Sequence, residues 1–190
     1  MSRAEAPVVV VDDVLGAATC LALIARIEGL GPEETLVRTS RGPRRDLELR
    51  NNTRVWFDDD DLAARIFSAL LPALHQLVAA WPALLVGSPV RCERTFRGYR
   101  YRPGQRFALH SDSSVDDDDG ARSLLTVLVY ANDVDAGGAT RVAPFSSGAA
   151  SVEVVPRAGR ACVFLHALPH ESVAVDVGAK YAVRTNVMFF

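Results

Sequence analysis

The spacing of apolar residues changes character near residue 90. Before that point, a short apolar run at Val8–Val11 reads as a strand. Leu15, Leu21, Ile24 and Ile27 then recur near helical spacing, with Asp12 or Asp13 placed to cap that helix. Leu62, Ile66, Leu70 and Leu74 recur every four residues and predict a longer helix from Asp58–Asp61 toward Trp81. The four acids ahead of it complement the helix dipole and read as a cap rather than a metal site. Pro72 is expected to kink that helix or split it.

From residue 90 onward the apolar positions fall into short β-rich runs: Val90–Tyr101, Arg106–His110, Ser123–Ala131, Ala139–Phe145, Ala149–Val155, Arg160–Leu165, Ser172–Val177 and Lys180–Phe189. Gly, Pro, Asp and Ser separate them. Eight runs at such intervals predict a sandwich or barrel rather than βαβ units. No repeat or linker interrupts the chain. The expectation is therefore a single domain over 1–190, mainly β, with 1–89 mostly helical support packed on one sheet of a 90–190 β-core.

Composition narrows the function classes. The chain has 190 residues, 49% hydrophobic and 23% charged, with a formal net charge of -2, so general attraction to nucleic acid or to an anionic membrane is not expected. The longest apolar stretch, Leu77–Val86, contains Pro82 and falls short of the ~20 residues that span a bilayer. Cys20, Cys92 and Cys162 are scattered and lack CxxC spacing, which suits buried thiols in a reducing, cytoplasmic setting. The N-terminus carries no secretory pattern.

Four histidines hold the candidate chemistry: His75, His110, His166 and His170. His75 lies in the long predicted helix and reads as structural. His110 and Asp112 form an H-x-D at a strand end, where residues i and i+2 share a face. With His170 at the start of a later β-run, two imidazoles and one carboxylate would compose the facial triad of non-haem Fe(II). His166 is a rival for the second histidine, although the downstream spacing fits His170 better.

The last run, KYAVRTNVMFF, alternates unusually. Tyr181, Val183, Thr185, Val187 and Phe189 form a face suited to packing under helices, while Lys180, Ala182, Arg184, Asn186 and Met188 form the other. If the second face points inward, a Lys and an Arg enter a poorly solvated interior. Such burial is costly without a partner, so an anionic ligand is the natural complement. The alternative is a strand at the domain edge with both cations in water.

The segments YRYRPGQRFALHSD (99–112), LTVLVYAN (125–132), GGAT (137–140) and HESVAVDVGAKYAVRTNVMF (170–189) occur in an order that resembles the prolyl-4-hydroxylase-like 2-oxoglutarate/Fe(II)-dependent dioxygenases. The resemblance covers roughly residues 90–190 and implies a double-stranded β-helix, the jelly-roll or cupin-like core. It implies Fe(II) held by His110, Asp112 and His170, with 2-oxoglutarate as co-substrate and ascorbate as an optional reductant. Lys180 matches the basic residue that grips the distal carboxylate of 2-oxoglutarate, Tyr130 a tyrosine donating to the same carboxylate, and Tyr101 an aromatic near the metal-bound end. Arg184, by its spacing, would share that carboxylate or hold the substrate. The chain departs from the usual pattern at Ser172, where glycine is common, and at Ser111–Ser114.

The implied reaction uses O2 to hydroxylate a C–H bond of a peptide or protein residue or of a small molecule, with 2-oxoglutarate going to succinate and CO2. Retention of Asp112 favours hydroxylation over halogenation. A reactive oxidant needs screening from water, and the Ser111–Gly120 loop and the 41–57 segment are candidate lids. An arginine-rich stretch (Arg38, Arg41, Arg44, Arg45, Arg50, Arg54) contains R-N-N-T-R, so Arg50, Asn52 and Arg54 are candidate substrate-binding residues. Six further arginines at 91–106 alternate in face and make no continuous stripe. Two other readings stay open: a nucleic-acid demethylase of the same superfamily, whose R-x-N resembles Arg184–Asn186, and a non-catalytic β-barrel sensor that binds a metal or an organic acid.

Overall fold

The computed structural model describes residues 6–35, 37–39, 42–44, 46–146 and 148–190. Arg41 and Arg45 of the arginine-rich stretch lie outside the described residues, as do the side chains of Arg38 and Arg44. In chain order the N-terminal part holds β1 (Val8–Val11), α1 (Ala17–Gly29), β2 (Glu33–Glu34), β3 (Val37–Thr39), β4 (Gly42–Arg44), β5 (Thr53–Asp58) and α2 (Asp60–Ala80). There follow β6 (Pro89–Cys92), β7 (Thr95–Tyr101), β8 (Phe107–His110), β9 (Arg122–Tyr130), β10 (Ala136–Gly137), β11 (Thr140–Val142) and β12 (Val152–Val154). The chain ends with β13 (Ala161–Leu165), β14 (His170–Ser172), β15 (Val175–Val177) and β16 (Lys180–Phe189).

The strands form a jelly-roll of two main sheets. The larger runs β1-β13-β9-β16-β7-β5-β2, with β6 pairing the far end of β16 beyond β7; the smaller runs β12-β11-β14-β8. Their pairings are antiparallel. β16 is central to the larger sheet, flanked by β9 on one side and by β7 and then β6 on the other.

Both helices cover the outer face of the larger sheet, α1 against β7 and α2 against β6 and β1. Val183, Val187 and Phe189 of β16 join Ile27, Leu62, Ile66, Leu70 and Leu74 in one buried cluster. The odd-numbered face of β16 thus packs under the helices, as its alternation predicts. α2 is long and apolar enough to cross a bilayer by length and composition, but it buries Leu62, Ala63, Ile66, Leu70, Leu74 and Leu77 within the domain.

Several expectations need correction. α1 starts at Ala17 behind Gly16, with no side-chain cap. Asp12 is engaged instead by Arg160, whose Nε and Nη2 donate to its carboxylate at 2.6 and 3.2 Å, and Asp13 sits at φ 57. α2 runs unbroken through Pro72 and is capped by Asp59, which accepts from the Leu62 amide at 2.9 Å. Burial of Leu70 and Leu74 on either side of the proline holds the helical path. Between the helices the described residues hold the short strands β2 to β5 and no helix, and β5 joins the larger sheet against β7. The Val90–Tyr101 run is broken at Glu93, whose backbone carbonyl accepts from Thr185 Oγ1 at 2.6 Å.

Gly98 of β7 is where α1 comes down on the sheet. A Cβ there would lie 2.8 Å from Ile27 Cγ1 and 2.9 Å from Val55 Cγ2. Gly98→Ala is therefore expected to lower stability by roughly 1–3 kcal/mol through overpacking, measured by urea unfolding. An unchanged midpoint would show that the α1–β7 contact relaxes freely.

Candidate active site

The inward face of the larger sheet is laid out in cross-strand rows. Trp56, Arg97, Arg184 and Leu128 stand opposite one another across β5, β7, β16 and β9. The next row is Arg54, Tyr99, Ala182 and Tyr130, and beyond it Tyr101 faces Lys180. The smaller sheet supplies the opposite wall, where His170 pairs with His110 and Thr140 with Ser172. Between the walls lies a cavity of about 750 Å³, lined by side chains from both sheets.

One end of the cavity holds the H-x-D residues together with His170. Potential ligand atoms of His110, Asp112 and His170 all lie within 4.8 Å of one another. His110 Nδ1 is 2.8 Å from the Ala108 carbonyl, and His170 Nδ1 is 2.9 Å from that of Leu168. A carbonyl only accepts, so each Nδ1 donates, which leaves both Nε2 atoms with free lone pairs. Phe107 stacks on His110 at 3.6 Å between centroids, and Phe164 lies 4.5 Å from His170. Burial, then the neighbouring His170, pushes His110 down to about 4. Two neutral-donor nitrogens and a carboxylate converging in this way suit a divalent first-row metal with open positions.

Asp112 has a crowded Oδ2. Thr126 Oγ1 donates to it at 2.6 Å, Arg184 Nη2 at 2.9 Å, and His170 Nε2 lies 3.5 Å away. The Thr126 oxygen in turn lies 2.8 Å from His166 Nδ1, and His166 Nε2 lies 3.0 Å from Ser123 Oγ. His166, the rival histidine, is thus taken up by two hydroxyls behind Asp112. Burial holds its ring neutral, down to about 4. Because Thr126 gives its proton to Asp112, His166 Nδ1 must donate to Thr126, and Nε2 accepts from Ser123. Thr126 and Ser123 went unnoticed in the sequence because their link to residue 166 spans about forty positions and leaves no local motif.

At the other end Lys180 is 2% exposed. Its Nζ donates to the Gly138 carbonyl at 2.6 Å and to Ser172 Oγ at 2.8 Å, and lies 5.2 and 5.4 Å from the Tyr101 and Tyr130 ring centres. Gly137 and Gly138 both have positive φ, 74 and 69, which aims the 138 carbonyl at the ammonium. Among the described residues no carboxylate pairs with Lys180, and burial lowers its pKa to about 7. Ser172, where glycine is common in the resembled family, is one of its hydrogen-bond partners. Burial raises Tyr101 to about 12 and also raises Tyr130, so both phenols keep their protons. A caged ammonium beside two phenols suits a carboxylate.

The cavity lining is also arginine-rich. Arg50 is buried between Tyr99 and Phe107, its Cζ 4.9 and 4.2 Å from their ring centres. Asn52 does not line the cavity; it is 1% exposed behind Arg50 and accepts from Arg50 Nε at 2.7 Å. Arg54 and Arg97 lie over the Trp56 ring at 4.7 and 4.6 Å. Arg97 and Trp56 escaped the sequence reading. Of the Ser111–Gly120 loop, only Ser111 and Asp112 line the cavity. Its acids Asp117 and Asp119 are held by Arg91 at 2.7 and 2.9 Å. His75 is exposed on α2, and all three cysteines are free and buried.

Comparison with known proteins matches residues 96–188 to the family described as the 2OG-Fe(II) oxygenase superfamily. No curated protein matches the chain. Among solved structures, a Pseudomonas putida prolyl-4-hydroxylase is 22% identical, with 97% of this chain and 94% of that one covered and a TM-score of 0.62. A prolyl hydroxylase in complex with a hypoxia inducible factor oxygen degradation domain peptide, from Trichoplax adhaerens, is 18% identical, covering 96% and 84%, with a TM-score of 0.65. HygX from Streptomyces hygroscopicus, solved with nickel and 2-oxoglutarate bound, is 17% identical, covering 96% and 83%, with a TM-score of 0.58. At these identities the likeness establishes the shared fold.

The buried lysine makes stability depend on pH in a defined direction. Its folded pKa, about 7, lies below the ordinary 10.5, so between those values the unfolded chain binds more protons. The stabilising contribution is complete above about 10.5 and lost as pH falls through 7, with a slope of up to about 1.4 kcal/mol per pH unit. Unfolding of the metal-free protein and of Lys180→Met across pH 7–10 should differ by this slope. Parallel curves would place the lysine charge in water.

Proposed function

We propose, from the membership of residues 96–188 in the 2OG-Fe(II) oxygenase superfamily, that the chain hydroxylates a C–H bond of an organic substrate as 2-oxoglutarate is decarboxylated to succinate and CO2. The observation that carries this reading is the pairing of a His110–Asp112–His170 cluster with a buried ammonium, at Lys180, that has no counter-anion among the described residues. Iron(II) and 2-oxoglutarate, when bound, supply the activation of O2 and the electrons for it.

The chain's own residues supply position and polarity. His110 and His170 present Nε2 because the carbonyls of Ala108 and Leu168 hold the opposite nitrogen. Asp112 is steadied by Thr126 and Arg184 on Oδ2 and would offer its carboxylate to the metal together with the two imidazoles. Lys180 receives the distal carboxylate of 2-oxoglutarate, and the protonated phenols of Tyr101 and Tyr130 line the same pocket. The sequence left Arg184 between the co-substrate and the substrate; its contact with Asp112 supports a third role, holding a ligand carboxylate in place. Phe107, stacked on His110, and Phe164, tilted against His170, keep water from the two imidazoles. The substrate carbon, on a peptide residue or a small molecule, enters past Arg54, Trp56 and Arg97.

Protein loaded with Fe(II) under anaerobic conditions should develop a weak visible absorption band on addition of 2-oxoglutarate and form succinate once O2 is admitted. Asp112→Ala is expected to lower succinate formation by about 100-fold or more. Absence of both band and succinate from the parent protein would reject the assignment.

The lysine sets a second expectation. As pH rises from 7 to 9 the free site loses its ammonium, so affinity for 2-oxoglutarate should fall by up to about tenfold per unit. Lys180→Arg, which keeps its charge, should flatten that profile. Calorimetric titration with Mn(II) in place of iron reads both, and equal slopes in the two proteins would assign the anchor elsewhere.

A further inference from the structure

The inference deepens the oxygenase reading and rests on it. Five cationic side chains line the cavity: Arg50, Arg54, Arg97, Lys180 and Arg184, against two acids, Asp112 and Glu171. Both acids are spoken for. Glu171 accepts from Arg141 at 2.7 Å, and Asp112 takes Arg184 at 2.9 Å. Lys180 is accounted for by a co-substrate carboxylate. Arg50, Arg54 and Arg97 remain, and among the described residues no carboxylate forms an ion pair with any of them.

Their placement is costly in isolation. Arg97 stands directly opposite Arg184 across β7 and β16, and like charges in that relation are destabilising. Burial and the neighbouring charges of Arg50 and Arg97 pull the Arg54 guanidinium below its usual pKa. Arg50 is 5% exposed, and its Nη2 is buried without any hydrogen-bond partner. An orphaned guanidinium nitrogen of this kind carries the desolvation cost of a charged donor until an acceptor arrives. A carboxylate held by Lys180 does not also reach Arg97, which stands beside Arg184, four residues from Lys180 along β16 or roughly 13 Å of backbone. A cavity of about 750 Å³ has room for a second small molecule beside a five-carbon diacid.

We propose that the substrate is a small organic anion whose carboxylate or phosphate group is held by Arg54 and Arg97 at the mouth, with Arg50 behind them, so that its carbon skeleton lies toward His110, Asp112 and His170. Both arginines lie over the Trp56 ring, which holds the two guanidinium groups in place and leaves their N–H edges for the anion. Guanidinium forks bind either oxyanion in bidentate fashion. Neutral and cationic substrates of the same size are disfavoured by the charge left uncompensated.

The test uses four probes of equal chain length, hexanoate, hexyl phosphate, hexanol and hexylamine, titrated calorimetrically into the Mn(II)–2-oxoglutarate form. At least one of the two anions is expected to bind at least about tenfold more tightly than hexanol or hexylamine, a difference of about 1.4 kcal/mol. The preference between hexanoate and hexyl phosphate identifies the headgroup. Arg54→Gln combined with Arg97→Gln should weaken the anion at least about tenfold while leaving 2-oxoglutarate affinity within about twofold, which also shows that the variant is folded. Equal binding of hexanol, an affinity that survives the double substitution, binding only by displacement of 2-oxoglutarate, or no binding of either anion would each overturn the proposal. Failure of the oxygenase reading has a different signature: 2-oxoglutarate itself does not bind, while the anion titration on the metal-free protein still reports on the arginines.

Discussion

Lys180 and Arg184 are held on the inward face of the central strand, and much of the site answers to their burial. β16 cannot turn these residues outward, because its opposite face, with Val183, Val187 and Phe189, is sealed under the helices, and a one-residue slip would exchange the two faces entirely. The interior must therefore supply acceptors. For Lys180 they are a glycine carbonyl and a serine hydroxyl, which satisfy hydrogen bonds without cancelling charge. For Arg184 the acceptor is Asp112. A cation satisfied by neutral groups remains ready for an anion; one already paired with a carboxylate instead fixes that carboxylate.

The second consequence concerns direction. Ser123 Oγ accepts from the Val115 amide at 2.8 Å, so its proton is free for His166 Nε2. The donors then run one way, from Ser123 to His166, from His166 to Thr126, and from Thr126 to Asp112. Asp112 ends the chain as a pure acceptor, which is the state a metal ligand requires. A charged His166 would reverse the first of these bonds, and burial away from water prevents it.

The legible parts of the sequence were those where chemistry and period agree. H-x-D at 110–112, His170 and the alternation of 180–189 each constrain residues within one or two strands, and the structure brings the three candidate side chains His110, Asp112 and His170 together. β5 was read as part of a helical region because its alternation is inverted relative to an ordinary core strand. Val55 and Phe57 turn to the helices, while Arg54 and Trp56 turn into the cavity, so the polar positions face inward. The cap of α1 was misplaced for a different reason. Asp12 has the right chemistry, but Arg160, 148 residues away, engages it, and no local rule reports that. His166 shows the same limit: its partners come from β9 and are chosen by the fold.

That inversion on β5 explains why the cavity exists at all. A jelly-roll whose inward positions were apolar would close on itself at ordinary packing density. Here the rows running from Trp56 to Leu128 and from Arg54 to Tyr130 carry long cationic and aromatic side chains that stack on one another, Arg54 and Arg97 on Trp56 and Arg50 on Phe107. Covering unpaired guanidinium groups with the opposite sheet would leave buried charge without a partner, while the aromatic faces cover their apolar surfaces and leave the N–H edges available. Cationic side chains stand at both ends of the cavity, with the His110–Asp112–His170 cluster beside Arg184 rather than beside Lys180.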